Sequence, residues 1–172
     1  MDFKVHGPFD VPRVGKLISR HAAEQRALWD QVEEEFPGLS SSIGCYLFAL
    51  RGKVWYVGMA GKQSFSKECL SLHKQALFNE ALQKVPNAKP KLFLLPKVGP
   101  SGKFRLPSGQ DHPVIEAVEN ILIGVALKRN PSLLNIRGTK LLRDVNVPGV
   151  MNNRPGQATA HSVRALRKAL GL

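Results

Sequence analysis

Apolar and polar residues alternate along the chain with periods that predict both helices and strands. Near-helical spacing of apolar residues predicts a first helix over about residues 14–35, which Pro37-Gly38 ends. Residues 43–57 are rich in Tyr, Phe, Val and Trp and are interrupted only by Arg51-Gly52. This pattern predicts a β-hairpin that follows the first helix.

The remaining pattern completes the predicted order of elements. It indicates a helix over about residues 65–84, a strand over 91–98, a helix over 113–129, an irregular tail over 136–156 and a basic helix over about 160–170. This order predicts an α+β fold in which a small antiparallel sheet of about three strands is flanked by helices. We expect a helical extension at 1–42, a core at 43–136 and a basic extension at 137–172, together forming one compact domain.

Positive charge is concentrated in the middle and at the C-terminal end of the chain. The sequence carries 25 Lys and Arg against 13 Asp and Glu, a net charge of +12. Residues 1–43 have a net charge of −2, whereas residues 44–136 carry +8 and residues 137–172 carry +6. A field of this sign attracts polyanions, of which nucleic acid is the commonest and an anionic membrane surface the weaker alternative.

Several classes of protein do not fit the sequence. No apolar stretch approaches the roughly 20 residues that span a bilayer, and the first residues lack the apolar region of a secretory signal. Cys45 and Cys69 provide neither a disulfide framework nor zinc-ligand spacing, and we expect both to be small buried hydrophobes. The expectation is therefore an intracellular, cytoplasmic protein that does not bind a membrane. The pattern does not indicate an oligomeric state.

Two short motifs on the hairpin and a third on a later helix are specific in combination. Gly44-Cys45-Tyr46 opens the hairpin and Tyr56-Val57-Gly58 closes it. Glu119 begins an E-x-x-L-I segment in the 113–129 helix, and Pro131 and Asn135 follow as P-x-x-x-N. In this order and spacing, residues 43–136 resemble the GIY-YIG nuclease family.

The resemblance implies a Mg²⁺-dependent (or Mn²⁺-dependent) endonuclease that hydrolyses phosphodiester bonds of nucleic acid, with DNA as the expected partner. In that family the glutamate, here Glu119, holds one metal ion near the scissile phosphate. The first-motif tyrosine, Tyr46, deprotonates or orients the attacking water, helped by a metal and basic neighbours that favour its ionised form. The second-motif tyrosine, Tyr56, positions that water. Gly58 and Asn135 are expected to contact or support the bound substrate.

The register of the hairpin decides whether the two tyrosines can act together. A two-residue Arg51-Gly52 turn would set Tyr46 opposite Val57 and put the tyrosines on opposite faces of the sheet. A three-residue loop that includes Leu50, with Gly52 in the left-handed conformation, would set Tyr46 opposite Tyr56. The sequence allows both registers, and only the second would make a site.

Helical geometry separates the two glutamates of the 113–129 helix. The predicted buried stripe consists of Ile115, Val118, Leu122 and Val125. Glu119 lies at the edge of that stripe, whereas Glu116 and Asn120 point to solvent. A carboxylate at the rim of a buried face suits Mg²⁺, which takes one or two carboxylates together with phosphate oxygens.

One feature departs from the family. The arginine expected eight to ten residues after the second motif is missing, and Lys67 is the nearest basic residue at that place. A lysine can neutralise phosphate charge but lacks the bidentate fork of arginine. Lys74, seven residues further on, would share a helical face with Lys67, and His73 is a weaker candidate for contacting substrate. Reduced activity or a binding-only role therefore stays open.

The C-terminal helix supplies the remaining candidate contacts. Its cations are Arg164, Arg167 and Lys168, which we expect to bind the phosphate backbone. The alternative is that Val163, Leu166 and Leu170 pack this helix on the core and that its charges form a solvated face.

Overall fold

Strands and helices are both distributed over the described part of the chain, which is residues 2–135, 139–144, 147 and 161–171 of a computed structural model. The strands are β1 (Asp2–Phe3), β2 (His6–Asp10), β3 (Arg13–Val14), β4 (Leu17–Ile18), β5 (Gly44–Leu50), β6 (Lys53–Ala60) and β7 (Pro90–Val98). The helices are α1 (Ala22–Glu35), α2 (Phe65–Glu68), α3 (Leu72–Lys84), α4 (Pro113–Arg129), α5 (Thr139–Asp144) and α6 (His161–Ala169).

The predicted hairpin, β5 and β6, forms one side of an antiparallel sheet. The strand order is β1-β7-β5-β6, and β2 also pairs with β7. β5 is therefore a central strand and β6 is an edge strand. The predicted α+β class with an antiparallel sheet is confirmed, but the sheet has five strands because the first ten residues add β1 and β2 to it.

Helices cover both faces of this sheet. On one face, even-numbered residues of β5 and β7 such as Phe48 and Leu94 pack in a core with residues of α1 and α3. On the other face, Cys45 packs with Ile115 of α4. Alternation of side chains along each strand produces the two cores.

The predicted N-terminal helix over 14–35 is too long. The chain instead forms the β3–β4 hairpin, with Gly15 at a φ of 59° in its turn, and the helix begins only at Ala22. The spacing of Val14, Leu17 and Ile18 fits both a helix and a tight hairpin. Long-range bonding favours the hairpin, since the Ile18 N–H donates to Asn79 Oδ1 over 2.7 Å.

The predicted helix over 65–84 is two helices, α2 and α3. The Gln75 side-chain amide donates to the Leu70 carbonyl oxygen over 2.6 Å and so occupies an acceptor that a continuous helix would use internally. Lys67 and Lys74 consequently lie on separate helices, and the expectation that they share one helical face is wrong.

The predicted bounds of α4 are confirmed, but its buried stripe differs from the predicted one. Ile115 is buried, whereas Val125 is exposed and Ile123 takes its place in the core. Glu119 is half-buried, and Glu116 and Asn120 are exposed as predicted.

The chain divides into two compact units, Met1–Leu134 and Asn135–Leu172. In the second unit, α5 forms within the stretch expected to be irregular, and α6 forms where the basic helix was predicted. The rest of the predicted irregular tail lies largely outside the described residues.

Candidate active site

A β-bulge brings Tyr46 and Tyr56 to one face of the sheet. The turn is the two-residue Arg51-Gly52 turn, with φ angles of 48° and 73°, so of the two registers that the sequence allows the three-residue loop does not form. Leu50 pairs with Lys53, but the register then shifts, and beyond the shift Phe48 pairs with Tyr56. The extra residue in β6 undoes the face reversal that a two-residue turn would impose. The two tyrosine rings lie 6.2 Å apart between centroids.

The glycines of the two motifs have separate steric roles. Tyr46 pairs with Gly58 across the hairpin. A Cβ atom at Gly58 would lie closer than 3.0 Å to two ring carbons and the hydroxyl oxygen of Tyr46, so the phenol occupies space that only glycine leaves free. A Cβ atom at Gly44 would likewise collide with the Leu95 main-chain carbonyl of β7. Gly58 therefore acts by supporting the Tyr46 ring.

The Tyr46 phenol is fully buried, with 0% of the residue exposed. No described residue offers its hydroxyl a hydrogen-bond partner. Burial raises the pKa of Tyr46 well above its ordinary value, and the nearby Cys69, Tyr56, Glu68 and Glu119 raise it further. Tyr46 is therefore a neutral hydrogen-bond donor in this structure, contrary to the expectation that basic neighbours favour its ionised form.

Tyr56 is hydrogen-bonded to Lys74 of α3, which also contacts Glu68 of α2. Lys74 Nζ donates to Tyr56 Oη over 2.7 Å and lies 3.5 Å from Glu68 Oε1. Despite desolvation by burial, which lowers the pKa of Lys74, its contacts with Tyr56 and Glu68 raise that pKa above its ordinary value. Lys74 is thus a fixed ammonium group between the second tyrosine and a carboxylate.

Glu119 reaches the exposed edge of β6. Its carboxylate accepts a hydrogen bond from the main-chain N–H of Met59, the residue after Gly58. Burial raises the pKa of Glu119, and the repulsion of Glu116 and Glu68 adds to this, while Lys74 lowers it. The charge of Glu119 also affects the pKa of Tyr46, and Lys74 acts on that of Glu119. We call the five residues that interact in these ways the tyrosine cluster: Tyr46, Tyr56, Glu68, Lys74 and Glu119.

Glu119 is the residue of the tyrosine cluster that could hold a metal ion. Glu119 has about four lone-pair sites, of which the Met59 amide uses one. The buried Tyr46 hydroxyl lacks a partner among the described residues and could bond a metal-bound water. Within the described residues no three His, Cys, Asp or Glu side chains converge on a metal site. A single carboxylate is nevertheless enough for Mg²⁺, which keeps several waters and binds substrate phosphate.

Two of the sequence candidates lie apart from the tyrosine cluster. Lys67 is exposed on α2, and its side chain makes no hydrogen bond or ion pair with any described residue. His73 is exposed at the start of α3. The cation that contacts a motif tyrosine is Lys74.

Glu68 is the cluster residue that the sequence did not indicate. In one continuous helix, Glu68 and Lys74 would lie about 120° apart and could not pair. The break between α2 and α3 brings them together. Spacing along the chain does not reveal this pairing, because it depends on the place where α2 ends and α3 begins.

The remaining sequence candidates belong to the second unit, and they are Asn135, Arg164, Arg167 and Lys168. Asn135 is buried, and its main-chain carbonyl accepts a hydrogen bond from the Thr139 hydroxyl. Arg164, Arg167 and Lys168 lie on α6, no residue of which is buried. In the first unit, Asn130 is fixed to the hairpin through a bond of 2.8 Å from its side-chain amide to the Val54 carbonyl oxygen.

Both cysteines are buried, as expected from their sequence contexts. Burial raises the pKa of Cys45 to about 12, with a further contribution from Glu119. Burial also raises the pKa of Cys69 well above its ordinary value. Neither thiol is therefore activated as a nucleophile.

Among the described residues, no helix combines the length and apolar character needed to cross a membrane. Comparison of the chain with models of known families, with curated proteins and with solved structures finds no match.

Proposed function

We propose that this protein is a metal-dependent endonuclease of GIY-YIG type that hydrolyses phosphodiester bonds of DNA. The observation that carries the proposal is the tyrosine cluster itself. The phenols of Tyr46 and Tyr56 share one face of the hairpin, and Lys74 donates a hydrogen bond to Tyr56. The Glu119 carboxylate bonds the main chain next to Gly58, the glycine that supports Tyr46. Two donors, a cation and a carboxylate are the groups that phosphodiester hydrolysis requires.

Each residue of the cluster has a distinct part in this proposal. Glu119 would hold Mg²⁺, which supplies charge neutralisation at the phosphate when bound. Tyr46, as a neutral phenol, would donate its unused hydrogen bond to the attacking water or to a phosphate oxygen and so orient it. Lys74 has three N–H groups, of which Tyr56 and Glu68 engage two. The third is free to bind a phosphate oxygen.

Glu68 and Tyr56 would hold that lysine in place. A fixed donor costs less reorganisation during the reaction than a mobile surface lysine does. This arrangement gives a physical reason why a lysine could serve where the GIY-YIG family has an arginine.

A second candidate function is nucleic-acid binding without cleavage on the same fold. Two observations favour it. Tyr46 is fully buried, so substrate could reach its hydroxyl only after side chains move. The cation of the cluster is a lysine, which cannot bind phosphate through a bidentate fork.

Cleavage of supercoiled plasmid and of branched DNA distinguishes the two functions. The endonuclease proposal predicts nicked or cut product in Mg²⁺ or Mn²⁺ and none in excess chelator. Salt-dependent binding of the same DNA without product in either metal would instead establish the binding-only function. Absence of both binding and cleavage would reject both.

A further inference from the structure

A large cleft lies in the first unit, apart from the tyrosine cluster. It has a volume of about 1080 Å³ and is bounded by the hairpin that follows β7 and by the start of α4. No residue of the tyrosine cluster lines it. The cations on its wall are Lys97, Lys103 and Arg105.

Strand geometry puts these three cations on one face. Val98 and Phe104 form an antiparallel bridge, the Arg105 N–H donates to the Lys97 carbonyl over 2.9 Å, and Gly99 is bonded to Lys103 in the same way. Residues opposite each other in an antiparallel pair share a face, as do residues two apart on one strand. Lys97, Lys103 and Arg105 therefore point to one side, and Phe104 points to the other.

The main chain holds this basic face in position. The N–H of Ile43, the residue before β5, donates to the Arg105 carbonyl over 2.9 Å. Residues 103–105 therefore lie beside the end of β7, in line with β5. The Arg105 guanidinium lies directly over Gly99, with Nε 3.0 Å from the place of a Cβ atom there. The cations are thus carried on a hydrogen-bonded hairpin rather than on a free loop.

The charge of the cleft is positive. Residues 97–106 contain three cations and no acidic residue. Two aspartates line the cleft elsewhere, and one of them, Asp111, lies 3.8 Å from the ammonium of Lys62. The cleft therefore favours an anionic ligand.

The cleft also has an apolar part of its wall, formed by Ile43, Leu106, Pro113 and Val114, and His112 lies beside them. Phosphates alone would need only a cationic ridge, whereas unpaired bases gain from apolar and aromatic surface.

We propose that this cleft binds a single-stranded segment of nucleic acid, with phosphates on Lys97, Lys103 and Arg105 and bases against the apolar wall. The inference rests on the proposed function and narrows its substrate to DNA with unpaired nucleotides, such as a branch or an overhang. Pro113 in the cleft and Glu119 in the tyrosine cluster are six residues apart on α4, which is about 9 Å along the helix axis. A few nucleotides of one strand span that distance.

Binding to the full-length protein in chelator, without cleavage, tests the inference. The probe is a fluorescent oligothymidylate of about ten nucleotides, a length within the range that one single-strand site occupies. The cleft variant is Lys97→Gln/Lys103→Gln/Arg105→Gln. The matched control, Lys16→Gln/Arg20→Gln/Arg26→Gln, removes three positive charges from the β3–β4 turn, the segment before α1 and α1 itself, and none of these residues lines the cleft.

We expect the cleft variant to bind the probe at least tenfold more weakly at about 100 mM salt, and its salt slope to flatten by about 2, since each single-strand phosphate contact contributes about −0.7. The control variant should stay within about threefold of the unaltered protein. If the cleft variant does not fold, the single Lys103→Gln change at the exposed turn should flatten the slope by about 0.7.

Three outcomes would overturn the inference: an unchanged salt slope, an equal loss in the control variant, or an equal loss of affinity for polyphosphate, which has charge but no bases. An equal loss for duplex DNA of the same length would also reject the commitment to single strands. The test is independent of catalysis. If the cleft variant loses binding and the unaltered protein cleaves no DNA in metal, the cleft inference stands and the endonuclease proposal is rejected. If the unaltered protein cleaves DNA and the cleft variant binds the probe normally, the endonuclease proposal stands and the cleft inference is rejected.

Discussion

Tyr46 combines complete burial with a hydroxyl that no described residue bonds. Leaving a buried hydroxyl unpaired costs about 1–3 kcal/mol. A catalytic role would give a reason to keep such a group, because water or a phosphate oxygen would complete its bonding during the reaction. Because this hydroxyl bonds no described residue, removing it should lower activity without lowering the stability of the fold.

Tyr46→Phe should leave the free energy of unfolding unchanged or raise it by about 1 kcal/mol, since it removes only the unpaired hydroxyl. Cleavage should fall by about 10²-fold if that hydroxyl orients the attacking water. Urea unfolding and plasmid nicking measure the two effects. Full activity in the variant would remove Tyr46 from the mechanism, and a loss of stability above about 1 kcal/mol would indicate a bonded hydroxyl.

Lys74 and Lys67 form a natural matched pair for the phosphate-binding cation. Lys74→Ala removes the ammonium that contacts Tyr56, and cleavage should fall by about 10²-fold with a smaller loss of DNA binding. Lys67→Ala removes an exposed lysine and should change cleavage by less than about threefold. Single-turnover rates and binding affinities of both variants decide the matter. A larger loss of cleavage in Lys67→Ala than in Lys74→Ala would assign the phosphate-binding role to Lys67, the residue that spacing alone indicates.

The residue types of the site were predictable, but their contacts were not. The two tyrosines and Glu119 follow from motif order, and the half-buried position of Glu119 follows from helical angles. The pairing of Lys74 with Tyr56 and Glu68 depends on where one helix ends and the next begins, and at this break the Gln75 side chain bonds the Leu70 carbonyl oxygen. Spacing along one assumed helix therefore favoured Lys67.

At the scale of elements, the hairpin shows how a correct strand prediction can leave the register open. The motif residues and both strands were predicted from the sequence, whereas the sequence allows two alternatives for the turn. The bulge beside Trp55 was not, because bulges arise from local packing that leaves no periodic signal. Trp55 is buried in the same core as Tyr46 and Tyr56, which gives the extra residue a packing role.

The contact between β5 and β6 at Gly58 can be tested by adding one methyl group. Gly58→Ala would press on the Tyr46 ring in a filled core, so we expect a loss of about 1–3 kcal/mol in stability and a loss of cleavage. Gly109→Ala is the control, because nothing lies within 4 Å of a Cβ atom there and its φ is not left-handed. Thermal unfolding compares the two. Equal stabilities would mean that Tyr46 does not pack against Gly58.

Tertiary pairing also explains the error at the N-terminal end. The first strands owe their conformation to β7, since Asp2 pairs with Val98 and His6 with Leu94. A short segment of two to five residues carries too weak a periodic signal to predict such pairing. α4 has 17 residues with a proline at its start, and both of its ends were predicted correctly.

At the scale of the whole molecule, positive charge is carried by both units. In the second unit, α6 carries the exposed Leu166 and three cations, and the exposed Leu170 directly follows its last residue. Its amphipathic sequence is compatible with phosphate binding through one side and packing through the other. Composition predicted the sign of this charge, but it could not assign charge to individual surfaces such as the cleft at the end of β7.

Arg164→Gln/Lys168→Gln/Arg167→Gln tests whether α6 contacts the DNA backbone. Each duplex phosphate contact contributes about −0.9 to the slope of log affinity against log salt, so the triple change should flatten the slope by up to about 2.7. The apolar residues of the helix stay in place. A slope equal to that of the unaltered protein would show that these charges form a solvated face only.

The most direct test of the central claim compares two glutamates on one helix. Glu119 is half-buried in the tyrosine cluster, and Glu116 is exposed one turn earlier. Glu119→Gln and Glu116→Gln therefore make the same chemical change at two positions of one helix. Plasmid cleavage in Mg²⁺ should fall by at least about 10²-fold in Glu119→Gln and by less than about threefold in Glu116→Gln, with DNA binding kept in both. Cleavage by Glu119→Gln at the rate of the unaltered protein would contradict the account.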